Sequence, residues 1–395
     1  MQPHATPSNH YLRFSGSGSR HELKEKLAQR ECMPWDNKIG LWHRHEEGEP
    51  VPLERESREP EHPAGYITHP DLAAAVNTAL LLRKPLLLTG KPGTGKSELA
   101  ERIAWELNLG AVLRFEAQSL SEAGDLFYRF DLVGQMAAAQ IAKLSSDKEE
   151  AAMRTRPERF LHFGPLGKAI LRSAPSTHAD LWPIAFPVQK LDSARPSVVL
   201  IDEIDKAGRD FPNDLLNGIQ RMEFHIKEMG DRALRAAEDE KLRPIVIITS
   251  NSERDLPAPF LRRCVYFDIP DPEPATLRRI LLARVFPERF HGPDGSGAEG
   301  RETTPLPPLY DEMLNFFSRY CEKSKDQLAH EPGVSELIDW SRAVHRSPLR
   351  DEQAGMAVAD NAQVLRHTSS VLAKQRDDRA HMLDALQRHL GPVGA

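Results

Sequence analysis

Leu86 to Leu107 reads LLLTGKPGTGKSELAERIAWEL, in which a Gly-x4-Gly-Lys-Ser spacing stands between an apolar run and an amphipathic one. The chemistry suited to that spacing is phosphate binding. Gly90, Gly93 and Gly95 permit left-handed and tight backbone conformations, so that successive N–H groups along Gly93, Thr94, Gly95, Lys96, Ser97 and Glu98 can turn toward one anion, with Pro92, which has no N–H, in the same cradle. Lys96 can reach β- and γ-phosphates, the Ser97 hydroxyl can ligate Mg²⁺, and a helix beginning at Lys96 adds its N-terminal partial charge.

Two further groups complete a hydrolytic set. In SVVLIDEIDKAGRD the run Val198 to Ile201 is apolar at every position, as a strand buried on both faces is, and Asp202 and Glu203 stand at its carboxyl end. Asp202 suits a metal, directly or through water; Glu203 suits a water that attacks a γ-phosphate; Asp205 reads as a cap for the next helix. In RPIVIITSNSERDLPAPFLRRCVYFDIPDP, Asn251 ends a strand over Pro244 to Ser250 and is expected one strand over from Glu203, where an amide can hold the lytic water. Arg262 and Arg263 precede the last strand, Val265 to Ile269, at what should be the far edge of the sheet. They fit either a charge donated to a neighbour's site or a salt-bridging pair at a subunit interface.

The elements that must position these groups follow from the pattern. DLAAAVNTALLLRK reads as a helix from Asp71, followed by strands at Pro85 to Thr89 and Ala111 to Glu116. This βα alternation gives an α/β fold with a doubly wound parallel sheet. Between the second strand and Asp202 lies more chain than one crossover needs, and SLSEAGDLFYRFDLVGQ within it clusters Leu126, Phe127, Tyr128 and Phe130. Those aromatics read in two ways: a loop that grips a partner on a ring axis, or an apolar staple folded back on the core. After Asp271 the stretches ATLRRILLARVF, LYDEMLNFFSRYCEK and VSELIDWSRAV have helical spacing and form a small helical lid, interrupted by a Gly/Pro linker over His291 to Pro308. Beyond it, Val364/Leu365 and Val371/Leu372 are expected to pack on the lid, since a coiled coil needs more heptads.

With these motifs in order, the chain resembles the AAA+ ATPases, and within them the MoxR-like branch, over roughly Tyr66 to Val344. The resemblance implies a P-loop NTPase fold with a C-terminal helical lid, ATP and Mg²⁺ as ligands, and ATP hydrolysis in a homo-oligomeric ring, hexameric in the family. It implies Lys96 and Ser97 as the Walker A pair, Asp202 and Glu203 as Walker B, Asn251 as sensor 1, Arg263 as the arginine finger with Arg262 as fallback, and Arg342 as sensor 2. FGPLGKAIL and NDLLNGIQRMEFHI resemble the elements flanking Walker B in that branch; the chain departs from the pattern in an insertion over residues 172–196. The implied role is remodelling or activation of a client protein, first among them one bearing a von Willebrand factor A domain. The alternatives are a nucleic-acid-linked motor of a restriction or defence system, and a scaffold that binds ATP with little turnover. Glu203 and Asn251 argue against the scaffold.

Composition fits a cytoplasmic protein. Its 395 residues are 40% hydrophobic and 28% charged, with 52 basic against 58 acidic side chains, a net charge of −6 that offers no general grip on nucleic acid. Cys32, Cys264 and Cys321 are widely spaced and odd in number, as reduced thiols are. Neither a membrane-spanning apolar run nor a signal peptide is apparent, so no membrane partner is expected. The expected division is an extended N-terminal segment to residue 65, a large α/β domain over 66–270, the lid over 271–350 and a helical extension over 351–395. In the first of these Tyr11, Phe14, Trp35 and Trp42 pack as a belt or belong to a solvated tail; His43 and His45 lack a third ligand for a metal.

Overall fold

The structure, a computed structural model, describes residues 14, 35–36, 41–42, 61–143, 147–191, 193–251, 256–291, 304–324, 328–347 and 361–390. They divide into two compact units. The first takes in Phe14, Pro70–Thr89 and Ala100–Asp268; the second takes in 61–69, Gly90–Leu99 and the described part of Ile269–Ala395.

The first unit is built on five parallel strands: β1 (Leu86–Thr89), β2 (Leu113–Glu116), β5 (Val198–Asp202), β8 (Ile245–Thr249) and β9 (Val265–Asp268). Their order is β9-β1-β8-β5-β2. The three inner strands are buried almost throughout, while β2 and β9 alternate half-buried and exposed residues. This is what burial on both faces at the centre and at one face on the edges requires. Register carries Ile248 opposite Ile201 and Asp268 opposite Thr89, so the carboxyl ends of all five strands share one edge. The edge position expected for the last strand holds, with one correction. β9 is the immediate neighbour of β1, and Arg262 and Arg263 are removed from the carboxyl edge because they sit at the amino end of a strand parallel to it.

Helices α1 (Pro70–Leu82) and α2 (Lys96–Glu106) flank β1 in the chain. Phe14 is anchored on α1: its N–H donates to Asn77 Oδ1 at 2.9 Å, Asn77 Nδ2 donates back to its carbonyl at 2.8 Å, and its ring is buried. Phe14 is thus packed. Trp35 and Trp42 are register partners in a two-residue ladder, while Tyr11, His43, His45 and most of the acidic stretch lie outside the described residues.

The long crossover from β2 to β5 folds into β3 (Tyr128–Phe130), α3 (Leu132–Ala142), α4 (Lys148–Arg154), β4 (Leu161–Phe163), α5 (Pro165–Ser173) and α6 (Trp182–Ala185). β3 and β4 form an antiparallel ladder, Tyr128 opposite Phe163. The gripping-loop alternative for the aromatics fails here. Leu126 and Phe127 are buried, and Phe127 packs at 5.2 Å from the ring of Phe224 on β6 (Glu223–Ile226). Tyr128 lies 6.0 Å from the same ring and its hydroxyl donates to Glu228 at 3.0 Å. The reason is a groove made by glycines. A Cβ on Gly164 would fall 2.1 Å from the Asp125 carbonyl, one on Gly167 2.0 Å from the Phe127 carbonyl, and one on Gly218 2.2 Å from the tip of the Phe127 ring. Gly164 and Gly167 of FGPLGKAIL, with Gly218 on α7 (Phe211–Arg221), are therefore the seat of the staple. The inserted residues join the same core through Leu181, Trp182 and Phe186, over which Arg172 lays its guanidinium at 4.6 Å. β6 pairs with β7 (Arg232–Arg235) as a second hairpin, and a short α8 (Ala258–Leu261) leads to β9.

The second unit is helical: α9 (Pro274–Val285), α10 (Pro287–His291), α11 (Pro308–Ser324), α12 (Val334–Arg346), α13 (Ala362–Thr368) and α14 (Arg376–Leu390). Trp340, Tyr310, Phe286 and Leu281 are at its centre, with Val364, Leu365, Leu372, Met382 and Leu386 from the C-terminal helices in the same core. Those helices pack on the lid as expected. Asp378 fixes α14 by accepting from the N–H groups of Ala329 and His330, both at 3.1 Å. Among the described residues no helix is long and apolar enough to cross a membrane.

Candidate functional site

At the end of β5 the chain makes a sharp turn. Asp202 completes the strand and Glu203 takes φ 54°, ψ 50°, the left-handed region that disfavours a side chain with a Cβ. Strain of this kind, about 1–2 kcal/mol for a non-glycine residue, persists only where neighbours over-determine the backbone. Thr249, last residue of β8, supplies that constraint. Its hydroxyl donates to Asp202 Oδ1 and accepts from the Glu203 N–H at 2.9 Å. One hydroxyl thereby orients both acids. The signal in the sequence is a polar residue closing an apolar run one strand over, and sequence reasoning passed over it.

Asn251 follows two residues on, exposed, one strand over from Glu203 as expected. Its backbone N–H donates to Asp205 Oδ1 at 3.1 Å, so Asp205 steadies the tip that carries the amide. Lys206, not singled out in the sequence, pairs its ammonium with Glu203 Oε2, and that bond raises the lysine's pKa above 10.5. Thr89, at the end of β1, lies 2.7 Å from Asp268 Oδ1 and 2.9 Å from the Tyr266 hydroxyl, which tie the ends of β1 and β9. Arg262 is exposed at the opposite end of the sheet; Arg263 is half-buried with a long 3.5 Å bond to the Pro259 carbonyl.

The phosphate loop belongs to the second unit, which builds its surroundings from helices. Gly90, Gly93 and Gly95 have φ of 136°, 77° and 82°, so all three use the conformations for which glycine is needed. A Cβ on Gly93 would meet Ser335 Oγ at 2.6 Å, and one on Gly95 would touch the Tyr66 ring at 3.0 Å. Lys96 is buried and donates to the carbonyls of Gly90 at 2.7 Å and Lys91 at 2.9 Å, so its ammonium bridges the mouth of the loop. Lys91 itself pairs with Asp271 at 2.8 Å and Glu331 at 3.1 Å; the bond to Asp271 leads in raising its pKa.

The lid helix α12 starts at this loop. Ser335 Oγ donates to the Gly93 carbonyl at 3.4 Å. Arg342, seven residues further, lies on the same face two turns along. Its guanidinium meets Glu61 at 3.6 Å and the Arg284 carbonyl at 3.4 Å, and burial lowers its pKa. Arg284, which sequence reasoning missed, pairs with Glu98 in the first turn of α2. The Glu98 carboxylate is thus engaged by protein, which leaves its backbone as the part that can face an anion. A cavity of about 600 Å³ adjoins the loop, lined by Pro92, Gly93, Leu277, Phe317, Cys321 and Val334, within the range of small-molecule sites. Burial pushes the Cys321 thiol up to about 12, as it does Cys264, so neither is a nucleophile.

Among the described residues no group of three or more His, Cys, Asp and Glu could hold a metal by itself. The Asp202 carboxylate in the first unit and the Ser97 hydroxyl in the second are each an oxygen donor of the kind a hard divalent ion accepts.

Residues 85–264 match the family model described as AAA domain (dynein-related subfamily). The five-stranded parallel sheet with its flanking helices is the fold of such a domain, whose general chemistry is nucleotide binding and hydrolysis. No curated protein matches the chain. The AAA domain of FIGL-1, solved in complex with ADP, is similar at 14% identity over 78% of this chain and 78% of that one, with a TM-score of 0.32, too slight a likeness to carry an argument.

Proposed function

We propose that the chain is a Mg²⁺-dependent ATPase of MoxR-like type, assembled as a ring, hexameric in this reading, that remodels or activates a client protein; one with a von Willebrand factor A domain is the first to test. The observation that carries the hydrolytic part is the Thr249 hydroxyl joined to both Asp202 and the backbone of a strained Glu203. A chain that needed only a turn at this point would relieve the strain with glycine.

In this reading the N–H groups of residues 93–98 and the Lys96 ammonium hold the β- and γ-phosphates. Ser97 and Asp202 hold Mg²⁺, which when bound neutralises charge on those phosphates. Glu203, released from Lys206, accepts a proton from water as the water oxygen bonds to the γ-phosphorus; the bond from that phosphorus to the bridging oxygen breaks, giving ADP and inorganic phosphate. Asn251 positions the water. Arg263, or the more exposed Arg262, serves a neighbour's nucleotide, and Arg342 senses the γ-phosphate from the lid.

The test separates binding from turnover. Lys96→Ala should lose nucleotide affinity, whereas Glu203→Gln should keep it and lose hydrolysis, since one residue holds ground-state phosphates and the other serves the attacking water. Undiminished steady-state ATPase in Glu203→Gln would sink the assignment.

A further inference from the structure

One bond at the end of β5 stands against the chemistry read there. The Glu203 carboxylate accepts from the Lys206 ammonium at 2.5 Å, and among the described residues that is its one side-chain partner. The backbone builds the contact. Ile204–Lys206 is a 3₁₀ turn, in which side chains three apart eclipse, and the Lys206 N–H closes it on the Glu203 carbonyl at 2.9 Å. Because Thr249 fixes the Glu203 backbone from the neighbouring strand, the acid can leave its lysine only by turning its own side chain. Nothing packs it in place: the Lys206 and Glu203 side chains are 55% and 42% exposed. Asp205 and Asp202 also act on the Lys206 charge, so the ammonium is not stranded when Glu203 turns away.

We propose that Lys206 is a positioning residue that restrains turnover: the ion pair holds Glu203 off the attacking water, and hydrolysis proceeds from the fraction of protomers in which the pair is open. The inference rests on the reading of Glu203 as the base and names a regulation of that same site. A carboxylate oxygen already accepting from an ammonium is a poorer acceptor for a water proton. An exposed ion pair is weak and is screened by salt, so the restraint is mild and adjustable. A pair that served only to hold the turn would leave kcat unchanged, or lower it, when broken.

Lys206→Met removes the ammonium and keeps most of the stem. At saturating ATP and Mg²⁺ and about 50 mM salt, its kcat should exceed the parent's about two- to fivefold, the range an exposed pair supports. The ratio of variant to parent should fall toward one by about 1 M salt, where screening opens the pair in the parent as well. Lys206→Arg, which keeps a cation, should gain less than Lys206→Met. A second readout needs neither nucleotide nor metal: acylation of Lys206 by N-acetoxysuccinimide, followed by mass spectrometry, should be about two- to fivefold faster in Glu203→Ala than in the parent, because the amine is no longer engaged. The proposal is overturned if Lys206→Met has the parent's kcat or a lower one, if the ratio does not move with salt, or if labelling of Lys206 is indifferent to residue 203. ATPase lost in Glu203→Gln but unaltered in Lys206→Met removes the restraint alone. ATPase retained in Glu203→Gln removes the base, and the restraint with it.

Discussion

Gly218→Ala should lower stability, against the usual sign for that exchange in a helix. Position 218 lies inside α7, where alanine is ordinarily worth about 1 kcal/mol over glycine. Here the added Cβ would stand 2.2 Å from Cζ and 2.8 Å from Cε2 of Phe127. Phe127 cannot swing away freely, since its ring is packed on Phe224 and its carbonyl lies against Gly167. Overpacking of a filled core costs about 1–3 kcal/mol, which exceeds the propensity gain at most of that range. The net loss should be up to about 2 kcal/mol, or up to about 8 °C in melting temperature for a unit of this size. Phe127→Leu withdraws the ring tip, so the double variant should be less damaged than the sum of the singles, with a coupling of at least about 1 kcal/mol. Urea unfolding followed by circular dichroism reads all four corners of the cycle. A Gly218→Ala protein more stable than its parent, additive with Phe127→Leu, would show that the staple is not seated on α7 and would reopen the aromatics to an external role.

Arg262→Ala and Arg263→Ala should each be tested for loss of ATPase with retained nucleotide binding. Whichever is inactive should regain activity when mixed with Lys96→Ala, because one subunit supplies the finger and its neighbour the phosphate loop; failure of both mixtures refutes action in trans. At acid pH, the bond from Arg129 holds the Asp125 carboxyl below its ordinary 3.8. The stabilisation is complete above that value and disappears as pH falls through the lower folded one, so Asp125→Asn should flatten the acid limb of stability below about pH 4. An unchanged limb in urea melts would assign the acid sensitivity elsewhere, Asp180 beside Arg232 being next.

What the chain discloses before folding is what local pattern can carry. The glycine spacing of the phosphate loop, the all-apolar runs of β1, β5 and β8 and the acids at Asp202 and Glu203 are contiguous signals, and they stand where the pattern puts them. Thr249 and Arg284 were missed because their significance is relational: Thr249 matters through register with β5, and Arg284 through an ion pair with Glu98, 186 residues away. The aromatics near Phe127 remained ambiguous for the same reason, since the glycine that receives the ring is on α7.

The left-handed backbone at Glu203 has a consequence for how such chains change over generations. Glycine or asparagine at that position would relieve the strain and make a more durable fold. Selection for folding alone pulls toward them; only a demand for the carboxylate pulls back. Lineages released from that demand should drift to Gly or Asn at position 203 before the sheet around it erodes, and a glutamate held there through long divergence would mark those in which the site is still in use.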